Sequence, residues 1–311
     1  MKRKVVIFGA SGEIGGRIAQ GCIEAGHEVI GVSRGQNKRE MVDLSGVEMV
    51  YGDKNDEKFI AEKIAPMEFD AVINSVPSID DVKFYHKYFK KAQNIFICSS
   101  TGTFVPLRYF PADENHPWRE KTPVNFWPQC VRDAHALELW EKESFPITIF
   151  RPTNIIGRGR VPLELWGARD IEFFRKLKAH EPVAIPDCKN VLLQSGYNSD
   201  LASAFVKALD FPDKVRGEIF IISCKKAITL GTYLETAMEY LGSKSEITVA
   251  STEELIKRYP DITWTNRLEF LLEHMCLDIS KAEKTFGYSP TKTAQEGLVD
   301  ALKWCESTGI L

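Results

Sequence analysis

Three glycines, Gly9, Gly12 and Gly15, stand at the exit of the apolar run KVVIF, and their spacing suits a backbone that must lie against a pyrophosphate. Gly9 permits a tight turn, Gly12 lets phosphate approach the main chain, and Gly15 lets the following helix pack close to the strand. The turn built from Gly9, Ser11, Gly12, Glu13, Ile14 and Gly15 would then offer free N–H groups and the positive end of a helix dipole to the phosphates. The next apolar run ends in Ser33 and Arg34. A site that prefers NAD usually carries Asp or Glu there to hold the ribose 2′-hydroxyl, and none is present. A guanidinium beside a hydroxyl suits a 2′-phosphate, which Arg binds through two parallel charge-assisted hydrogen bonds, so NADP is expected in preference to NAD. Lys38 and Arg39 would add positive potential nearby. The plainer alternative makes Arg34 a solvated loop cation.

These residues need elements to position them. Val5 to Phe8 is continuously apolar and largely β-branched, as a strand covered on both faces would be, and Ile14 to Ala25 is an amphipathic helix closed by Gly26. Strand and helix then alternate: His27 to Val32; Val47 to Tyr51 with Asp56 to Ile64; Ala71 to Ser75 with Val82 to Ala92; Asn94 to Cys98 with Val131 to Glu143; Ile147 to Phe150. The expected fold class is α/β, a Rossmann-type doubly wound parallel sheet. After Arg151 the alternation becomes irregular until Leu201 to Leu209 and Glu218 to Ser223 restore a helix and a buried strand. The domain reading is therefore a nucleotide-binding domain over 1–150, rejoined by 195–226. A smaller, interleaved C-terminal substrate lobe takes 151–194 and 227–311. Ligands of such sheets lie beyond the carboxyl ends of the strands, so the cleft between the lobes should hold substrate.

Composition bounds the partners. The 311 residues carry 40 Lys and Arg against 43 Asp and Glu, evenly mixed, and no basic block would neutralise a phosphate backbone; nucleic acid is not an expected partner. Seven scattered cysteines form no metal-spaced pair and leave one over from any full pairing, which suits a reducing compartment. The first strand begins almost at once, and no apolar stretch is long enough to cross a bilayer, so the expectation is a soluble, cytoplasmic protein without membrane partners.

Over nearly its whole length the chain resembles the extended short-chain dehydrogenase/reductase superfamily, in its NAD(P)-dependent epimerase/dehydratase branch. Five segments carry the likeness: GASGEIG at the start, YGDKND, NIFICSSTGTF, RPTNIIG, and DISKAEKTFGYSPTKTAQEGLVDALKW near the end. The last is the most specific. The resemblance implies that Asp53 hydrogen-bonds the adenine region, that Ser75 and Val76 beside Asn74 line the cofactor, and that Pro152 and Thr153 approach the nicotinamide. Asp53 also reads as a turn residue capping the next helix. The family's members often dimerise through paired helices, which in a homodimer would be the segments Phe84 to Ala92 and Val131 to Glu143.

The catalytic pattern of the family departs here. It rests on Ser or Thr after the fourth strand and on Tyr and Lys four residues apart on the next helix. The resemblance puts Ser100 in the hydroxyl position, with Thr101 beside it facing substrate, but sets Cys130 where Tyr is expected and Ala134 where Lys is expected. No Tyr occurs between Tyr109 and Tyr197, and no Lys between Lys121 and Lys142. A reductase must still protonate a nascent alkoxide, and a positioned acid contributes roughly 10²–10⁴-fold in rate. The candidates near the same helix turn are Cys130, Arg132, Asp133 and His135, of which Cys130 has the inferred position and His135 the intrinsic pKa. Each also has an ordinary reading, Cys130 as a small hydrophobe and His135 as a structural or solvated side chain.

A small-molecule substrate is expected, contacted by Asn154 and Trp166. Asn154 matches the Asn that often meets a substrate phosphate in epimerases, although an Asn in a turn also satisfies its own backbone. Trp166, with Arg158 and Arg160, offers an aromatic and cationic surface or a packed lobe junction. The basic residue that sugar-nucleotide enzymes of the family carry before the segment LLQSGYNSDLASA is replaced at about Leu193. Three functions follow: an atypical NADP-dependent oxidoreductase or epimerase-like enzyme with a rebuilt proton donor; an NADP-binding sensor or scaffold without catalysis; or an RNA-binding protein like the plastid members of the fold, against which the acidic balance argues.

Overall fold

The computed structural model describes residues 1–36, 42–78, 80–119, 126–259 and 267–311. Lys38 and Arg39 lie outside the described residues. Six strands open the fold: β1 (Lys4–Phe8), β2 (Glu28–Ser33), β3 (Glu48–Tyr51), β4 (Ala71–Asn74), β5 (Asn94–Cys98) and β6 (Ile147–Pro152). The strand Ile219–Ile222 adds a seventh beyond β6, giving the order Ile219–Ile222, β6, β5, β4, β1, β2, β3. Every pairing in this sheet is parallel, with Val5 opposite Val29 on one side and Ala71 on the other. The order reverses between β1 and β4. That switch point is where ligands of such sheets sit.

Four helices matter for the cleft: α1 (Glu13–Glu24), α2 (Glu57–Phe59), α3 (Asp81–Tyr88) and α4 (Trp127–Glu143). The pleat of β1 sends Val5 and Ile7 into one core, with Phe96, Phe150, Phe205 and Phe220, and Val6 and Phe8 into the other, with Ile30, Ile95 and Ile147. Both faces are therefore covered, which is why the strands read as unbroken apolar runs. A third core is built on Trp166, Phe173, Phe174 and Tyr233, all outside the seven-stranded sheet.

Several boundaries differ from the sequence expectation. Helix α4 starts a turn earlier than Val131, because Pro128 is compatible with a first helical turn. Helix α3 stops at Tyr88 rather than Ala92, since Phe89 leaves helical geometry at φ −114 and ψ 39. The segment after β3 is a short α-turn, capped by the Asp56 side chain on Lys58 and Phe59 N–H, that widens into a π-turn over Ile60–Ile64. The terminal motif has a clear physical basis. Gly287 closes the helix Ser280–Phe286 at φ +69, and Tyr288 then plunges into the core, donating its hydroxyl to Ser223 O at 2.9 Å. Asp200 receives Thr291 N–H and Oγ1 at 2.9 and 2.8 Å, locking the entry to the last helix.

Candidate dinucleotide and substrate site

The glycine turn has the geometry its spacing requires. Gly9 takes φ +83, and a Cβ there would stand 2.6 Å from both Ser75 Oγ and Val76 Cγ2. A Cβ on Gly15 would come within 2.2 Å of Gly9 O, so only glycine lets α1 approach β1 this closely. Gly12 is the N-cap of α1 without a side-chain cap, and a Cβ there would meet only Gly9 O at 3.1 Å within 4 Å. The cradle is thus open where a pyrophosphate would lie and closed where the protein packs on itself.

A cleft of about 400 Å³ runs from this turn along the strand ends, lined by Gly9, Ser11, Gly12, Ser33, Arg34, Asp53, Lys54 and Val76 among others. Ser11 and Ser33 share a hydrogen bond of 2.7 Å, and Ser33 Oγ also accepts Gly35 N–H. Arg34 is exposed at the rim and makes no ion pair among the described residues. Asp53 faces the cleft while its Oδ1 accepts Asn55 N–H at 2.9 Å; the helix cap expected of it falls to Asp56 instead. Ser75 donates to Phe8 O at 2.9 Å, and Val76 is half exposed at the mouth. Glu13 turns away from the cleft, accepting Asn198 Nδ2 at 3.0 Å and meeting Arg160 at 3.4 Å.

Sequence reasoning missed a support beneath this cleft. Asp81 is fully buried and binds Lys54 Nζ at 2.8 Å, Asn74 Nδ2 at 2.7 Å and the Ser78 N–H, while Asn74 Oδ1 accepts Val76 N–H. A Lys just after a strand and an Asp opening a helix were the available signal. Together they fix the loop after β4 from below.

The catalytic candidates separate. Ser100 Oγ accepts Gly102 N–H at 3.0 Å, which leaves its own proton to donate. Thr101, expected to face substrate, is fully buried and donates to Pro152 O at 3.2 Å, so it ties the β5 loop to the end of β6. Cys130 is 4% exposed, and burial pushes its thiol up against the opposing pull of Arg151 and Arg119. His135 is 40% exposed on the stripe of α4 that carries Val131, Ala134 and Glu138, and stands 3.8 Å from Glu138. It does not share the buried face of Cys130.

That buried face instead holds charge. Asp133, fully buried, accepts Ser99 Oγ at 2.6 Å, Arg132 Nη2 at 2.7 Å and Arg151 Nη2 at 2.9 Å. The Arg151 guanidinium also stacks between Phe104 and Trp118, at 4.6 and 4.1 Å from the ring centroids. Arg151, the first residue of the RPTNIIG segment, had no role in the sequence reading. Thr153 hydrogen-bonds Ser223 at the end of β6. Both ends of the Asn154 amide are engaged, Nδ2 on Ser195 Oγ at 2.8 Å and Oδ1 by Arg169 Nη2 at 2.9 Å, which favours the structural reading over substrate contact. Trp166 corrects an expectation: it is fully buried, donates Nε1 to Ala184 O at 2.8 Å and packs on Phe173 and Tyr259, so it is core of the second lobe and no wall of the cleft.

Comparison with known proteins agrees with this geometry. The NmrA-like family model matches residues 1–98. The Arabidopsis thaliana chloroplast stem-loop binding protein of 41 kDa b is 25% identical over 96% of this chain and 78% of its own length. Among solved structures, the UDP-glucose 4-epimerase of Thermotoga maritima, crystallised with UDP-glucose, superposes with a TM-score of 0.76 at 17% identity, covering 98% of this chain and 99% of that one. The enzyme WbmH of Bordetella bronchiseptica, in complex with NAD+, superposes with a TM-score of 0.72 at 18% identity, covering 99% of each chain. The chain shares the fold of these two solved structures. The resemblance read from the five segments holds, and within that fold the glycine turn, the open cradle at Gly12 and the strand-end cleft fit a dinucleotide. Among the described residues no helix is long and apolar enough to cross a membrane, and no His, Cys, Asp and Glu cluster is arranged to hold a metal.

Proposed function

We propose that this chain is an atypical NADP(H)-dependent oxidoreductase, epimerase-like in architecture, acting on a small organic substrate with a proton donor other than tyrosine. The observation that carries the reading is Arg34, exposed on the cleft beside Ser33 where an NAD site would place an acid. Its guanidinium would hold the 2′-phosphate, the first-turn N–H groups from Glu13 to Gly15 the pyrophosphate, and Asp53, Val76, Pro152 and Thr153 the rest of the dinucleotide. NADP(H), when bound, supplies or accepts the hydride. Ser100, with a free proton and its oxygen fixed by Gly102 N–H, polarises the substrate oxygen. Neither Cys130, buried and raised in pKa, nor His135, paired on the helix surface, matches a lysine-assisted tyrosine. That supports a second reading, an NADP-binding protein without turnover.

One titration tests both. NADPH and NADH are followed by cofactor fluorescence in wild type and in Arg34→Ala. NADPH is expected to bind more tightly than NADH, and Arg34→Ala to lose about tenfold or more of the NADPH affinity with little change for NADH, as loss of a charge-assisted phosphate contact implies. Binding of neither nucleotide sinks the reading. Tight binding with no oxidation of NADPH across a carbonyl panel selects the non-catalytic form.

A further inference from the structure

Beneath the loop 99–104 the charges of the described residues do not balance. Arg119, Arg132 and Arg151 are 8%, 3% and 0% exposed, and the single buried carboxylate described among them is Asp133. Three buried guanidinium groups against one carboxylate leave an excess of two positive charges. The hydrogen bonds point the same way. Arg151 spends Nε and Nη2 on Asp133, but its Nη1 is buried with no partner among the described residues. Arg119 has both Nε and Nη1 buried and likewise unpartnered there. Buried N–H donors, charged ones above all, are almost always satisfied, and each one left unpaired costs free energy that a bound acceptor, water or ligand, recovers.

The orphaned donors share one neighbourhood. The Arg119 main chain donates to Thr103 O at 2.7 Å, and the Cys130 thiol lies 3.9 Å from the same carbonyl. Arg151 stacks on Phe104 and on Trp118, the residue before Arg119. Helix α4 begins here without a side-chain cap at Phe126, so its positive end adds to the field. Cys130 stays protonated and supplies no counter-charge. The sequence position that the resemblance reserves for the catalytic tyrosine is therefore flanked by guanidinium groups that carry unpartnered N–H donors.

We propose that Arg119 and Arg151 form an oxyanion subsite beside Cys130 and Ser100, which receives a carboxylate or phosphate group of the substrate. It rests on the oxidoreductase reading, because it states the group that the substrate of that reading carries. Arginine is well matched to such a group, since its planar fork binds either oxyanion, and stacking of Arg151 between two rings holds one fork in place before ligand arrives. An anionic group anchored there sets the neighbouring carbonyl of the same molecule against Ser100.

The test is calorimetric titration of the full-length protein with malonate and, separately, inorganic phosphate at constant ionic strength, in wild type, Arg119→Gln and Arg119→Lys, with NADPH binding measured on each. Saturable binding of one anion to wild type, weakened about tenfold or more in Arg119→Gln while NADPH affinity is unchanged, supports the subsite, and the anion that binds identifies the group. Arg119→Lys keeps the charge and removes the fork, so partial retention is expected; it also serves if the glutamine variant does not fold. Absence of saturable binding by either anion, or equal affinity in wild type and both variants, overturns the proposal. Loss of NADPH binding alone bears on the cofactor reading instead.

Discussion

Among the single side chains, Glu164 carries a pH-dependent term that can be read directly. It is fully buried, accepts N–H groups from Trp166 and Ala168, and has no cation within ion-pair distance among the described residues, so burial raises its pKa to about 7. The folded state therefore favours the protonated acid. Its contribution is fully present below about pH 4.5 and is lost as pH rises through about 7. Denaturant unfolding should show Glu164→Gln flattening the stability profile across that window, by up to about 3 kcal/mol. The glutamine amide also replaces one acceptor oxygen by a donor, which adds a pH-independent offset to that flattening. An unchanged slope would mean that the carboxyl is ionised in the folded protein. Little of this was visible in the sequence, where Glu164 is one acid in a proline- and glycine-punctuated loop.

At the scale of elements, the glycine turn shows why one part of the site was legible and another was not. A backbone constraint writes itself into residue type. A Cβ at Gly15 would lie 2.2 Å from Gly9 O, main chain against main chain, with no flexible side chain to give way. Gly15→Ala is expected to push α1 off β1, costing about 1–3 kcal/mol of stability and most of the nucleotide affinity, measured by thermal unfolding with and without NADPH. Wild-type affinity in that variant would show that the turn is not the phosphate cradle. The sheet strands were equally legible because burial on both faces leaves unbroken apolar runs. Side-chain partnerships were not. Arg151 and Asp133 are 18 residues apart and Lys54 and Asp81 are 27 apart, and no local periodicity ties such pairs together. Trp166 misled for a related reason, since an aromatic beside arginines reads the same whether it lines a cleft or fills a core.

For the molecule as a whole, all seven cysteines are free, and six are buried; Cys276 alone is partly exposed. Burial raises every one of these thiols above its ordinary range. A thiol-reactive chromophore at neutral pH should therefore modify at most about one thiol per native chain and all of them after denaturation. Rapid native modification of several would contradict the burial. The strand order of the sheet has its own consequence during synthesis. The strand Ile219–Ile222 closes the edge of β6 only after the chain has passed through residues 153–218, and the Tyr288 hydroxyl seals against Ser223 later still. A ribosome that has released β6 has thus exposed an apolar strand whose partner does not yet exist. Until Ile222 emerges, the sheet presents an open edge to any chaperone or neighbouring nascent chain, and its completion must wait on the intervening residues.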